Sequence, residues 1–215
     1  MNFKNFFSYL ALAMVTSLPQ AFPQTNDWIP LFDGKTLNGW KASENESSFR
    51  VVDGCIVHDG PRSHLYYVGE VAGHRFTDFE FKAMVYTFAN ANSGIYFHTR
   101  FQEKGFPNYG YEVQVNNSHR DIIRTGSLYN VIDVADHYAL DEQWFELYIR
   151  VEGQRVVVKV DGITVVDYTQ LDDKSRLVRR DDHFGRYIDQ GTFAIQAHDP
   201  NSKVMYKDIQ VRLLN

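Results

Sequence analysis

Three short segments, residues 94–99, 110–115 and 191–198, alternate between apolar and polar side chains with a period of two. Successive side chains of a β-strand point to opposite faces, so each segment predicts a strand with one apolar and one polar face. If the three strands share a sheet, their apolar faces enter a core and their polar faces form one open surface. The side chains expected on this candidate site are Tyr96, His98, Glu112, Gln114, Gln196 and His198.

The rest of the chain also consists of short predicted strands separated by glycine-containing turns. Asp53-Gly54 predicts a tight hairpin within residues 49–57, and Asp161-Gly162 predicts another within a meander over 143–168. Further strands are expected near Trp28 and at residues 65–68, 78–88, 125–130 and 203–213, the last forming a closing pair with 191–198. The pattern shows no amphipathic helix, repeat or linker. It therefore predicts one all-β domain over residues 27–215, a β-sandwich or jelly roll.

The N-terminus has the features of an export signal. Lys4 precedes an apolar run over residues 6–18, which is too short to span a bilayer and has the length of a signal-peptide core. We expect a signal peptide over residues 1–24, with cleavage between Ala21 and Thr25. The alternative is a buried N-terminal helix, but the run shows no amphipathic period. No second hydrophobic run offers a membrane anchor, so we expect a periplasmic or secreted protein.

Charge and cysteine content exclude several classes of protein. The formal net charge of −5 gives no basic surface for nucleic acid. The single cysteine, Cys55, lies beyond the leader, which argues against lipoprotein attachment and excludes an internal disulfide. A charged insertion over residues 172–182 carries Arg176, Arg179 and Arg180. It is either a solvated loop or a lid over the candidate site.

Six motifs occur in a fixed order through the whole mature chain, namely Leu31–Trp40, Asn92–Phe97, Gly110–Gln114, Thr125–Tyr129, Ile195–His198 and Val204–Ile209. Together they resemble the 3-keto-disaccharide hydrolase family, long catalogued as a domain of unknown function. The resemblance implies a concanavalin A-like jelly roll of the lectin and glucanase type, export, and cleavage of glycosides already oxidised at C3. One departure is His98, where many members of the family carry Arg.

The C3 ketone that the resemblance implies changes how a glycosidic bond can be broken. The proton on C2 lies next to a carbonyl, so a base can remove it, and the enolate can expel the C1 substituent before water adds. Such a site needs a base near C2, a donor for the enolate oxygen and an acid at the leaving group. An ordinary glycosidase needs two carboxylates. The candidate strands offer one carboxylate, two imidazoles and two amides, which favours elimination.

Two residues are the candidates for proton transfer. Glu112 is the expected base, because partial desolvation raises the pKa of a carboxyl group towards neutrality. The alternative is a glutamate on an exposed sheet face, paired with a basic neighbour. His198 is the expected acid, or the base if Glu112 binds a metal, and its alternative is a structural histidine at a strand end.

Six residues are expected to bind the substrate, and an alternative set would bind a metal. Gln114 and Gln196 are candidates to hold sugar hydroxyls through their amide groups. Tyr96 and Tyr129 are candidates to stack on the sugar or donate to the ketone, with packing as the alternative for Tyr129. Arg124 is a candidate to stabilise an enolate, with a solvated loop charge as its alternative. The remaining binding candidate is His98, and a divalent metal, if present, would be held by His98, Glu112 and His198.

Two functions follow from these residues. The first is cleavage of 3-keto-glycosides, a carbohydrate substrate that a separate sugar 3-dehydrogenase must supply, because the sequence lacks a dinucleotide-binding fingerprint. The alternative is a non-catalytic carbohydrate-binding module, since the same architecture hosts lectins. A module of that kind has no need of an ionisable pair such as Glu112 and His198 on one face.

Overall fold

Two antiparallel β-sheets face each other and enclose the core of the protein. The structure is a computed structural model, and it describes residues 27–171 and 186–214. The expected signal peptide (1–24) and the charged insertion (172–182) lie outside the described residues, so both stay predictions.

The described residues form thirteen strands and two short 3-10 helices, Glu46–Ser48 and Val71–His74. Neither helix in this part of the chain has the length and hydrophobicity needed to cross a membrane. The strands are β1 (Ile29–Pro30), β2 (Trp40–Ala42), β3 (Phe49–Val52), β4 (Cys55–His58), β5 (Ser63–Tyr67), β6 (Phe79–Thr87), β7 (Ser93–Thr99), β8 (Tyr111–Val115), β9 (Trp144–Glu152), β10 (Arg155–Val160), β11 (Ile163–Thr169), β12 (Thr192–Ala197) and β13 (Val204–Leu213).

The larger sheet has eight strands in the order β11-β10-β9-β6-β13-β4-β3, with β1 paired to β13. It contains the predicted hairpin and meander, whose turns at Asp53-Gly54 and Asp161-Gly162 have the positive φ values that tight hairpins require. The smaller sheet has five strands in the order β2-β5-β12-β7-β8. All three strands of the candidate site therefore lie side by side in the smaller sheet, as the alternating pattern predicts.

The core forms where the apolar faces of the two sheets meet. Tyr111, Val113 and Val115 of β8 are fully buried in it, as the alternation predicts. Phe193 of β12 packs against Phe81 of β6, with ring centroids 4.7 Å apart, so the ring joins the two sheets. This packing fixes the inner face of the smaller sheet and leaves its outer face for the polar side chains.

Strand β7 contains a β-bulge at its end. Between two aligned pairs, β7 contributes both Phe97 and His98, whereas β12 contributes only Phe193. His98 has a φ of 54°, in the left-handed region that a residue with a side chain rarely adopts. The extra residue interrupts the alternation of β7, so side chains beyond Phe97 no longer follow the predicted phase.

Two predictions about strands are wrong. Residues 125–130 do not form a strand, because Leu128 makes only isolated bridges to Val113 and Ile132. Strands β12 and β13 are not a closing pair. They lie in different sheets, where β12 pairs with β5 and β7, and β13 pairs with β1, β4 and β6. Adjacent strands in the sequence thus cross between the layers of the sandwich.

Candidate active site

A pocket of about 120 Å³ lies on the outer face of the smaller sheet. Its floor is formed by β7, β8 and β12, and its rim by the loops that follow these strands. Six residues of the predicted set line it, namely Tyr96, Glu112, Gln114, Tyr129, Gln196 and His198. The alternation therefore brings together five of the six side chains that it predicts for one surface, and Tyr129 joins them from a loop.

Glu112 is held at the floor of the pocket by residues of two strands. Tyr96 is its cross-strand neighbour on β7 and donates a hydrogen bond from its hydroxyl to Oε2 at 2.7 Å. Gln196 on β12 donates from Nε2 to Oε1 at 3.0 Å. The carboxyl group is 4% exposed, so it is not the solvated sheet glutamate of the alternative interpretation.

The electrostatics of the pocket suit a carboxyl group that exchanges protons. Burial raises the pKa of Glu112, and the hydrogen bond from Tyr96 and the charges of Arg186 and His198 only partly offset this. Burial and the neighbouring Glu112 also raise the pKa of Tyr96 well above its usual value, so its hydroxyl keeps its proton. The site thus pairs a base of increased basicity with a permanent donor.

His198 enters the pocket from the end of β12, and Asp199 holds its ring. Nδ1 of His198 lies 2.8 Å from Oδ2 of Asp199. Asp199 accepts two further hydrogen bonds, from the Ser202 hydroxyl at 2.9 Å and the Asn201 backbone N–H at 2.8 Å. Partial burial favours protonated Asp199, but these hydrogen bonds outweigh it and lower the pKa of the carboxyl group. With Nδ1 engaged, Nε2 is the nitrogen of His198 left for a substrate.

Amide groups line the rest of the floor. Gln114 donates from Nε2 to Oδ1 of Asn92 at 3.2 Å, which fixes the orientation of both amides. Oε1 of Gln196 is buried and has no hydrogen-bond partner among the described residues. A buried acceptor without a partner is costly, and a ligand hydroxyl in the pocket would satisfy it.

Tyr129 and Arg186 form one side of the rim. The guanidinium group of Arg186 donates to the backbone carbonyl of Tyr129 and lies 5.5 Å from the centre of its ring. The backbone N–H of Tyr129 donates to the carbonyl oxygen of Glu112 at 2.9 Å, which ties this loop to β8. Arg186 is therefore one described residue whose positive charge acts on the carboxyl group of Glu112.

His98 does not lie in the pocket, contrary to the prediction. Its Nε2 lies 2.8 Å from the carbonyl oxygen of Thr77, and its Nδ1 accepts the backbone N–H of Asp189 at 3.2 Å. Its ring packs 5.6 Å from that of Phe79, and burial lowers the pKa of His98 to about 4. The bulge causes this change of direction. The predicted metal set with Glu112 and His198 is not assembled, and the described residues contain no group of three or more His, Cys, Asp or Glu that could hold a metal.

Arg124 also differs from the prediction, and neither of its two interpretations describes it. Its Nη1 donates to Oδ1 of Asn116 and to the backbone carbonyls of His119 and Asp121, at 2.8 to 3.1 Å. The guanidinium group therefore closes the loop over residues 116–124. It shapes the rim of the pocket, which Asp121 lines, without lining the pocket itself.

Besides the loop residue Asp121, four residues of the site were not predicted from the sequence. Asn92 belongs to the second family motif, and Asp199 follows His198 directly in an Asp-Pro-Asn-Ser turn, so both carried a signal. Phe106, which lines the pocket, and Arg186 lie in loops, where no periodic pattern indicates the direction of a side chain. Only the folded chain shows that Phe106 lines the pocket and that Arg186 lies beside Tyr129 at its rim.

Comparison with known proteins identifies one family. The family model described as a 3-keto-alpha-glucoside-1,2-lyase-like domain matches residues 27–212. Among curated proteins, none matches the sequence. The matched range covers the whole pocket and every described strand, apart from Leu213 at the end of β13.

Solved structures confirm the predicted lectin-type jelly-roll sandwich. Two "putative glycosyl hydrolase" structures from Parabacteroides distasonis superpose with TM-scores of 0.75 and 0.67, at 21% and 17% identity. The alignments cover 87% and 88% of this chain and 94% and 100% of theirs. The carbohydrate-binding module CBM66 from Bacillus subtilis aligns with a TM-score of 0.52 at 10% identity, over 81% of this chain and 95% of its own. At these identities the similarity shows the fold alone.

Proposed function

The chain belongs to the 3-keto-alpha-glucoside-1,2-lyase-like family, and from that premise we propose that it cleaves 3-keto-glycosides by elimination followed by addition of water. The observation that carries the proposal is Glu112, a buried carboxyl group with a raised pKa in one pocket with His198. A carboxylate of increased basicity is suited to removing a proton from carbon next to a ketone. One such carboxylate suffices for this chemistry, whereas ordinary hydrolysis needs two.

In the first step Glu112 removes the proton from C2 of the keto sugar, and the electron pair of the C2–H bond forms an enolate with the C3 oxygen. Before the reaction the Tyr96 hydroxyl donates to the carboxylate of Glu112 at 2.7 Å. Once Glu112 has taken up the proton, its carboxyl group is neutral and accepts a weaker hydrogen bond. The Tyr96 hydroxyl is then free to donate to the enolate oxygen. Because its pKa is raised, it keeps its own proton while it does so.

In the second step the enolate reforms the C3 ketone, a C1–C2 double bond forms, and the C1–O bond breaks. The leaving oxygen takes a proton from Nε2 of His198 when the ring carries protons on both nitrogens. Asp199 lies 2.8 Å from Nδ1 and stabilises that positively charged ring. This arrangement gives His198 the role of acid and gives Asp199 the role of holding it.

The third step adds water across the double bond. His198, now without its Nε2 proton, accepts a proton from water while the oxygen bonds to C1. Glu112 exchanges its acquired proton with solvent after the alcohol has left, and C2 then regains a solvent-derived proton from Glu112. The net reaction is glycoside plus water giving a 3-keto sugar and an alcohol, and both residues return to their starting states. We propose further that the protein acts after export, on sugars that a separate sugar 3-dehydrogenase has oxidised.

Cleavage of a 3-keto-disaccharide in D₂O tests this proposal. Elimination and addition exchange the C2 proton, so mass spectrometry of the product at early times is expected to show one deuterium at C2. The unoxidised disaccharide is expected to remain intact, because its C2 proton is not acidic. Glu112→Gln is expected to lose about 10²–10⁴-fold in kcat. Cleavage without deuterium at C2, or full activity in Glu112→Gln, would contradict the mechanism.

The alternative, a carbohydrate-binding module, uses the same fold but has different requirements. A binder gains nothing from burying the carboxyl group of Glu112, because burial disfavours its charged form. Saturable binding of unmodified glycans, with no cleavage of several 3-keto-glycosides, would support the module.

A further inference from the structure

The outer face of the smaller sheet continues beyond the pocket onto β5. His64 and Tyr66 of β5 lie beside Gln196 and Ala194 of β12 in the strand register. Both are completely buried. Nδ1 and Nε2 of His64 and the hydroxyl of Tyr66 find no hydrogen-bond partner among the described residues, nor does Oε1 of the adjacent Gln196. Four orphaned polar atoms thus lie together on one face.

Such a group of unsatisfied atoms is unusual in a folded protein. Buried polar atoms are almost always hydrogen-bonded, and each one left without a partner destabilises the folded protein. Burial lowers the pKa of His64 to about 3, so the ring is neutral and offers one donor and one acceptor. The hydroxyl of Tyr66 offers both as well. The protein supplies no partner among the described residues, so these atoms are available to a ligand or to an ordered water.

Two aromatic side chains of the β7–β8 loop, residues 100–110, cover this polar surface. Phe106 lies edge-on to His64 with ring centroids 5.6 Å apart, and it also lines the pocket. Phe101 covers Tyr66 in the same way at 5.3 Å. Phe106 therefore separates the pocket from the surface formed by His64 and Tyr66.

The β7–β8 loop is built as a compact unit. Nε2 of Gln102 donates to the backbone carbonyls of Lys104 and Phe106, and its Oε1 accepts the backbone N–H of Asn108. The loop contacts the segment that follows β2, where the Gly105 N–H donates to Oε1 of Glu44 at 3.3 Å. A loop held together by its own side chains is able to move as one body.

We propose that the β7–β8 loop lifts to open a second sugar-binding subsite on His64 and Tyr66, which receives the leaving group of the substrate. This inference rests on the proposed function. The subsite offers neutral donors and acceptors with aromatic surfaces beside them, the combination that recognises an uncharged sugar with its hydroxyls and apolar ring face. The active-site pocket of about 120 Å³ is also smaller than the roughly 300 Å³ at which ligand pockets begin.

Tyr66→Phe tests the subsite, because it removes one orphaned hydroxyl and nothing else. Steady-state kinetics would compare a 3-keto-disaccharide with methyl 3-keto-α-glucoside, which has no second sugar. We expect KM for the disaccharide to rise about 3- to 10-fold and KM for the methyl glycoside to stay unchanged. The Tm is expected to stay equal or rise, because the hydroxyl has no partner in the free protein. His64→Phe is expected to give the same difference between substrates.

Tyr67→Phe is the matched control on the same strand. Tyr67 points to the core, and its hydroxyl accepts the backbone N–H of Val71 at 3.3 Å. This variant is expected to lower the Tm and to leave the ratio of the two KM values unchanged. If Tyr66→Phe affects both substrates alike, or lowers the Tm without separating them, the hydroxyl holds a structural water and the subsite is refuted.

The subsite and the proposed function fail in different ways. If the wild type cleaves neither keto substrate, the proposed function is wrong. The subsite is then tested by calorimetric binding of unmodified maltose and methyl α-glucoside. A loss of maltose affinity confined to Tyr66→Phe and His64→Phe supports it, and equal changes for both ligands overturn it.

Discussion

Gly94 leaves the space that the carboxyl group of Glu112 occupies. An ideal Cβ at position 94 would lie 2.3 Å from Oε1 of Glu112 and 2.9 Å from its Cγ. Gly94 has no positive φ, so the backbone at this position does not require glycine. The requirement comes from the neighbouring side chain, which lies flat across β7 to reach Tyr96 and Gln196.

We expect Gly94→Ala to displace Glu112 from its two donors. A misplacement of about 1 Å costs about 10²-fold in rate, and the added methyl group costs about 1–3 kcal/mol of stability. Gly60→Ala is the matched control, because its Cβ would meet Oγ of Ser48 at 2.6 Å outside the pocket. It is expected to lower the Tm with little change in kcat. Equal activity losses in both variants would show that the effect is only structural.

Glu112→Gln is expected to be more stable than the wild type at pH 8. The folded pKa of Glu112 is raised above its ordinary value of 4.5. Between these two values the folded protein binds more protons than the unfolded chain, so stability falls as pH rises through that window. The neutral amide avoids this loss. Thermal unfolding is expected to show a Tm advantage for the variant that shrinks to zero towards pH 4, and a constant difference at both pH values would contradict the burial of charge.

Arg186→Gln is expected to shift the acid limb of the pH–rate profile to higher pH. The charge of Arg186 lowers the pKa of Glu112, as do the charge of His198 and the hydrogen bonds from Tyr96 and Gln196. Removing the charge of Arg186 raises the pKa of Glu112. Because the reaction needs the ionised carboxylate, the rate then falls at a higher pH on the acid side. The profile of kcat/KM against pH measures the shift.

Arg100→Gln is the control for the charge change. Arg100 pairs with Asp189 at 3.0 Å, is half-exposed, and does not line the active-site pocket. It is expected to leave the acid limb where it is. A shift of the same size in both variants would assign the effect to net charge, and no shift for Arg186→Gln would remove Arg186 from the site.

Asp199→Asn is expected to lower kcat by roughly 10²-fold with little change in KM. Asp199 orients the ring of His198 and stabilises its protonated form, but it does not contact the substrate. Asp189→Asn is the matched control, since Asp189 carries an ion pair outside the pocket. Steady-state kinetics on both variants separate kcat from KM. A rise in KM with unchanged kcat would show that Asp199 contributes to substrate binding and not to proton transfer.

His98→Asn is expected to lower stability and leave kcat/KM close to that of the wild type. Asparagine tolerates the left-handed backbone at this position but loses the contacts with Thr77 and Phe79. The expected cost is about 1–3 kcal/mol, measured by denaturant unfolding. A large loss of activity in fully folded protein would show that His98 acts in the site and would contradict its position outside the pocket.

The period-two alternation predicted most of the floor of the site, because a strand has only two faces and the core claims one of them. Once Tyr111 and Val113 enter the core, Glu112 and Gln114 have to point outwards. The same rule would have found His64 if the strand predicted at 65–68 had been extended towards Ser63.

The wrong or missing predictions of site residues concern the end of a strand and the loops. His98 follows the pattern in the sequence, but the bulge adds one residue and turns its side chain away. Arg124 and Arg186 lie in loops, where direction depends on hydrogen bonds such as those to Asp121 and Tyr129. Loop direction depends on long-range contacts and has no local period, so the rim of the site required the structure.

Because the site is divided between one sheet and its loops, its parts can change separately during the evolution of the family. The groups proposed for the proton transfers stand on β8 and at the end of β12, whose opposite faces are locked into the core. The groups proposed to recognise the leaving sugar lie under the β7–β8 loop, which joins β7 to β8 whatever its length. Insertions in this loop can therefore change which leaving sugars a family member accepts, while the reaction at C1 and C2 stays the same.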